Sequence, residues 1–126
     1  MINDNGIVNK KSNYSVNETA EKLQKLLRSK NIHIFARIDQ QKAAEEAGLK
    51  MKPMILFIFG DPKSGTPLMN EYPSLAIDLP LKALITEDEK GSVWVSYNSS
   101  EYLKERHNLA ELPFTAIPTL IDKVLQ

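Results

Sequence analysis

The segment Gly60-Asp61-Pro62-Lys63-Ser64-Gly65-Thr66-Pro67 holds the densest turn chemistry in the chain, directly after the unbroken apolar run Met54 to Phe59. A loop that leaves a buried strand and enters a helix aims backbone N–H groups and the positive end of the helix dipole at one spot, which is the chemistry of anion binding. Lys63, Ser64 and Thr66 add side-chain donors, while Gly60 and Gly65 let the backbone come close. The spacing is not that of a phosphate-binding P-loop: the interval between Gly60 and Gly65 fits, but Thr66 stands where that motif needs Lys. The competing reading is a rigid turn, because Pro62 and Pro67 preorganise the backbone whether or not anything binds.

Arg37 and Asp39 lie two apart in an alternating run, so they share one face of a strand, opposite Ile34, Ala36 and Ile38. Together they can meet a ligand, or form a surface ion pair of small energetic value. Asp78 stands between apolar neighbours in Ala76-Ile77-Asp78-Leu79-Pro80. Partial burial there would raise its pKa toward one useful for proton transfer; accepting backbone hydrogen bonds at the turn before Pro80 is the plainer role. Lys82 interrupts an apolar strand and can approach an anion, or mark an edge strand. His33 and His107 are the only imidazoles, neither in a triad or metal-ligand spacing. His107 follows Arg106 at a helix end, where a cation is favourable on electrostatic grounds alone. Trp94, Tyr97 and Tyr102 offer flat surface for stacking or for a dimer seam, and no basic pattern beside them makes a nucleic-acid platform.

Sixteen basic residues balance sixteen acidic ones, so the concentrated positive field that nucleic-acid binding draws on is absent. The longest apolar run is far short of the roughly 20 residues that cross a bilayer, and the N-terminus reads as no secretory signal; the expected location is the cytoplasm. With no Cys there are no disulfides, thiolate nucleophiles or thiolate-held zinc, and no His, Asp or Glu cluster has a metal-ligand spacing. No cofactor is implied.

The elements that must position these residues follow from pattern. At 126 residues, 42% hydrophobic and 25% charged, the chain is expected to be one domain over residues 1–126. Gly6 to Lys11 predicts a first strand. Ser15-Val16-Asn17-Glu18 has capping-box spacing, and Val16, Ala20, Leu23 and Leu27 recur at helical intervals, giving an amphipathic helix to Ser29. Asn31 stops it, and Ile32 to Asp39 alternates as a second strand. Gln40 to Ala47 predicts a short helix closed by Gly48. Met54 to Phe59, apolar throughout, predicts a central strand covered on both faces. A short helix should run from Pro67 to about Tyr72, ended by Pro73. Leu81 to Glu87 and Ser92 to Tyr97 predict a hairpin about Asp88-Glu89-Lys90-Gly91. Ser99 or Ser100 can cap a helix through His107, and Ile117, Leu120, Ile121 and Val124 mark a last helix.

Phe35-Ala36-Arg37-Ile38-Asp39 and Phe59 to Met69, followed by Asp78-Leu79-Pro80-Leu81-Lys82 with Glu87-Asp88, and Val93 to Asn98 with Tyr102-Leu103 and Arg106-His107, resemble ordered signatures of the family catalogued as Domain of Unknown Function 302. That resemblance implies a β-α-β(4)-α domain of TATA-binding-protein-like topology, α+β in class, with a mainly antiparallel sheet, helices on one face, and assembly as a homodimer. It implies no activity. Family sequences often carry His after the Arg-Ile-Asp run, where this chain has Gln40.

The leading functional expectation is a noncatalytic homodimeric module binding a small anionic metabolite at Gly60 to Thr66, helped by Arg37 and Lys82. An enzyme using Asp39 or Asp78, with His107 a further candidate, in acid–base chemistry on a small organic substrate is the alternative. A structural or protein-interaction dimer is the third.

Overall fold

The capping-box serine behaves as the sequence requires: Ser15 Oγ accepts the Glu18 N–H at 3.1 Å and its hydroxyl reaches the Glu18 carboxylate. That starts α1 (Val16–Ser29), and Asn31, at a φ of 58°, turns the chain out of it in the left-handed region. Strand β1 (Ile7–Ser12) precedes α1; β2 (His33–Asp39), α2 (Gln40–Glu46), β3 (Met54–Gly60) and α3 (Pro62–Glu71) follow. A 3-10 turn (Pro73–Asp78) leads into β4 (Leu81–Glu87), β5 (Val93–Asn98), α4 (Ser100–His107) and α5 (Ile117–Asp122). The computed structural model describes residues 5–126; the reading of the extreme N-terminus falls partly on residues 1–4, outside the described residues.

The five strands form one sheet in the order β1-β5-β4-β3-β2, every neighbouring pair antiparallel. The class is therefore α+β, with the β-α-β(4)-α order and short helices inserted. Val16, Ala20, Leu23 and Leu27 of α1 are buried against Phe57, Ile85 and Val95, and Leu120, Ile121, Val124 and Leu125 close the same layer from the C-terminus. Leu23 and Leu27 are fully buried, each worth about 1.5–3 kcal/mol in area removed from water. A smaller cluster of Leu75, Leu103 and Leu109 ties the 3-10 turn to α4, with Leu68, Tyr72 and Phe114 packed around it.

Among the described residues the opposite face carries no helical layer of comparable burial. In β3, Ile55, Phe57 and Phe59 are buried while Met54, Leu56 and Ile58 are only half-buried, so the expectation of two covered faces is corrected. An all-apolar run masks this, because its period-2 burial is invisible when both faces are apolar. Cross-strand partners share a face. Ile38↔Leu56, Ala36↔Ile58 and Leu84↔Leu56 therefore make an apolar strip on the open side, and Trp94 stands opposite Thr86 on the same side.

Strand β2 is irregular. Ile34 pairs with Phe59 and Ala36 with Ile58, leaving Phe35 as an extra residue in a bulge. As a result Ile34, Arg37 and Asp39 all look toward the helical side, opposite partners Phe59, Phe57 and Ile55, while Ala36 and Ile38 look the other way. The expected grouping of Ile34 with Ala36 and Ile38 is corrected by that one inserted residue.

Candidate functional site

The Gly60 to Thr66 segment is not the loop its glycines imply. Asp61 caps a helix that begins at Pro62, five residues before the expected start at Pro67, which lies inside α3. Asp followed by Pro is the favoured N-cap and first-position pair, and it outweighs Gly65. The Asp61 carboxylate accepts the Lys63 N–H at 3.0 Å, and the Asp61 carbonyl accepts from Ser64 and Gly65 at 3.0 and 2.9 Å. The amides that were to cradle an anion are thus already engaged, with a negative charge seated on them.

What this helix does build is a cavity. A space of about 480 Å³ lies between the end of β3, the first turns of α3, the chain entering β4 and the start of α5. Phe35, Phe59, Leu68, Leu79, Leu81 and Phe114 supply much of its wall; Asp61, Ser64 and Thr115 are its polar side chains. Gly65 is the buried residue of α3 and faces this space, 3.8 Å from Leu79 and Met69 at the point where a Cβ would stand. The α5 wall is anchored to the sheet by Lys10, whose ammonium lies 3.1 Å from the Pro118 carbonyl and 2.6 Å from Asp122. Burial is the largest single influence on Lys10 and lowers its pKa, but the hydrogen bonds to Asp122 and Tyr97 and the charge interactions with both together hold the group above its ordinary value.

Of the expected ligand residues, Gly60, Ser64 and Gly65 line this cavity. Lys63 and Thr66 are exposed outside it. Arg37 does not join them: its guanidinium bonds Glu21 at 2.7 Å and Gln24 at 2.9 Å across α1. Asp39 is separate again, because its carboxylate accepts the Lys42 N–H at 2.9 Å as the cap of α2. The expected Arg37–Asp39 partnership is therefore absent. Lys82 is exposed beside a much smaller cleft, on β4. That strand lies between β5 and β3 and pairs with both, so the edge-strand explanation fails.

Asp78 and His107 are brought together. His107 Nε2 meets Asp78 Oδ2 at 2.5 Å, and Arg106 lies 3.3 Å from the other carboxylate oxygen. Asp78 takes side-chain partners in place of the expected turn amides, whereas His107 does stand in the last turn of α4, at the expected helix end, with its ring facing Asp78 and Ser74. Ser74 was missed. Its one signal is position, a hydroxyl next to Pro73 in the short turn that also carries Asp78. Among the described residues no group of three or more His, Asp or Glu is placed to hold a metal ion, and no helix is long and apolar enough to cross a membrane.

The fold defines a two-layer α+β protein: an antiparallel five-stranded sheet with its principal helix and C-terminal segment on one side. The chain belongs to the family described as Domain of unknown function DUF302, whose model matches residues 8–126. An uncharacterised conserved DUF302 protein from Bacillus stearothermophilus has the same fold in its crystal structure, with a TM-score of 0.79 over 95% of each chain at 19% identity. Among curated proteins, this chain is 38% identical over 120 residues to "Fluoride-specific ion channel FluC 1" of Brucella suis biovar 1 (strain 1330), and equally so to the protein of that name from Brucella abortus biovar 1 (strain 9-941). Those matches cover 95% of this chain but 47% and 44% of the relatives, so the chain spans less than half their length.

Proposed function

We propose that this domain is a homodimeric binding module that takes a small, largely apolar organic molecule into the cavity beneath α3. The observation that carries the reading is the cavity itself: about 480 Å³, within the range of roughly 300–1,000 Å³ typical of ligand sites, with apolar walls and few polar groups. The anionic preference expected of the ligand is moderated by Asp61. An anion there competes with the carboxylate for the Lys63 amide and meets its charge.

The dimer is supported by the open sheet face, where Ala36, Ile38, Leu56, Ile58 and Leu84 leave a contiguous apolar strip half-covered. Ile38→Glu is expected to yield a folded monomer by sedimentation; a wild-type monomer at micromolar concentration would sink the dimer. Fluoride conduction, named for the Brucella relatives, is not carried over to a chain that spans less than half of them.

A melting screen against apolar and amphipathic small molecules tests the binding reading. A true ligand at 100 times its dissociation constant stabilises by about 2.7 kcal/mol. A well-folded protein that shifts with no member of the panel favours the structural or protein-interaction reading instead.

A further inference from the structure

Away from the large cavity, three side chains from two elements form a connected chain. Ser74 Oγ lies 2.9 Å from His107 Nδ1, and His107 Nε2 lies 2.5 Å from Asp78 Oδ2. The imidazole is 4% exposed and the carboxylate 10%, while Ser74 is open to solvent. Arg106 contacts Asp78 Oδ1 and also the Tyr102 hydroxyl at 2.8 Å. None of the three lines the large cavity.

The protonation pattern follows from the partners. In the neutral ring, an ionised Asp78 carboxylate, which only accepts, places the proton on Nε2 and leaves the Nδ1 lone pair to face Ser74, whose hydroxyl then donates. A serine proton directed at an imidazole whose far nitrogen is held by a carboxylate is the arrangement that activates a nucleophile; here the two ring nitrogens are exchanged relative to the serine-protease order.

We propose that Ser74 is a nucleophile toward small activated esters, with His107 as general base and acid and Asp78 as the positioning residue. Ser74 Oγ bonds to the ester carbonyl carbon while its proton passes to Nδ1. The carbon–alkoxide bond breaks and the leaving oxygen takes that proton. Water then attacks the acyl-serine, giving its proton to Nδ1; the acyl–Oγ bond breaks, the proton returns to Oγ, and a carboxylic acid leaves. Ser74 is exposed and lines neither the large cavity nor the smaller cleft, so the acyl group is small and selectivity is low.

The test uses p-nitrophenyl acetate and a fluorophosphonate probe on the whole chain, with the modified residue mapped by peptide mass spectrometry. The expected result is modification at Ser74, absent in Ser74→Ala and roughly 100-fold slower in His107→Gln, the scale of a lost general base. Asp78→Asn should slow it as well and alter its pH profile, since Asp78 and, behind it, Arg106 are the charged groups the ring faces. Circular dichroism establishes that each variant is folded. Should His107→Gln unfold, the native protein decides alone: a Ser74 rate that rises with pH and levels off supports base catalysis by the ring. Modification of Ser74 no faster than of exposed Ser29, an unlevelled rise with hydroxide, or no modification at all overturns the proposal.

Discussion

Gly65 gives the sharpest test of the cavity, because substitutions there should move stability and binding in opposite directions. It lies inside α3 with an ordinary helical backbone, and an added Cβ would meet Leu79 and Met69 at 3.8 Å, a normal van der Waals distance. Gly65→Ala therefore removes the glycine penalty without a clash. In a helix interior that penalty is about 0.8 kcal/mol. With an unfolding entropy near 2.1 cal/mol/K per residue, the variant should melt about 3 °C higher. Gly65→Leu goes further, projecting a branched side chain into the cavity. It should retain the fold and weaken binding of an uncharged apolar probe such as the dye Nile red tenfold or more, a loss of about 1.4 kcal/mol. Calorimetric melting and fluorescence titration read the two effects. A Gly65→Ala protein that melts lower refutes the packing argument, and a Gly65→Leu protein that binds Nile red as the wild type does refutes the site.

Three other outcomes are expected. Asp88 accepts hydrogen bonds from the Trp94 indole and from the Ser92 and Lys90 amides, and these hold its carboxyl below the ordinary range, the Trp94 bond contributing most. A folded-state pKa below the unfolded one adds stability that is present above about pH 3.9 and lost as pH falls through the folded value. Denaturant melts from about pH 5 to pH 2 should show a shallower acid decline for Asp88→Asn, and an unshifted Asp88 titration by NMR contradicts this. Ser12→Ala strips the partner from the fully buried Thr19 hydroxyl, 2.7 Å away, at about 1–3 kcal/mol. Thr19→Val should cost less because Ser12 keeps the Tyr14 amide; equal losses count against that accounting. Arg37→Ala, whose partner Glu21 is more than half exposed, should change stability by about 1 kcal/mol or less.

Local signals were legible where one or two neighbouring residues decide the outcome. Ser15 with Glu18 places the start of α1, Ser99 caps α4, and Gly91 at a φ of 83° makes the β4–β5 turn. Asp61-Pro62 was equally readable as a helix start, but the two flanking glycines argued for a loop. The bulge at Phe35 leaves no such mark, since the letters of β2 keep alternating while the backbone skips a residue. Lys82 on a central strand was illegible for a different reason: β4 is interior because β3 and β5 both pair with it, and the residues of one strand do not state how many neighbours it has. The Ser74–His107–Asp78 chain needs contacts 33 and 29 residues apart, made only when the 3-10 turn packs on α4.

The bulge also separates two requirements that a regular strand would bind together. Phe35 stands half in solvent, edge-on to His33 at 4.4 Å, and forms part of the cavity rim. Because it is surplus to the ladder, its size can be changed, or the residue deleted, while Ile34 stays on Phe59 and Arg37 on Phe57. The entrance is thus an interchangeable part mounted on a fixed frame: a chain of this fold can alter what it admits without renegotiating the sheet.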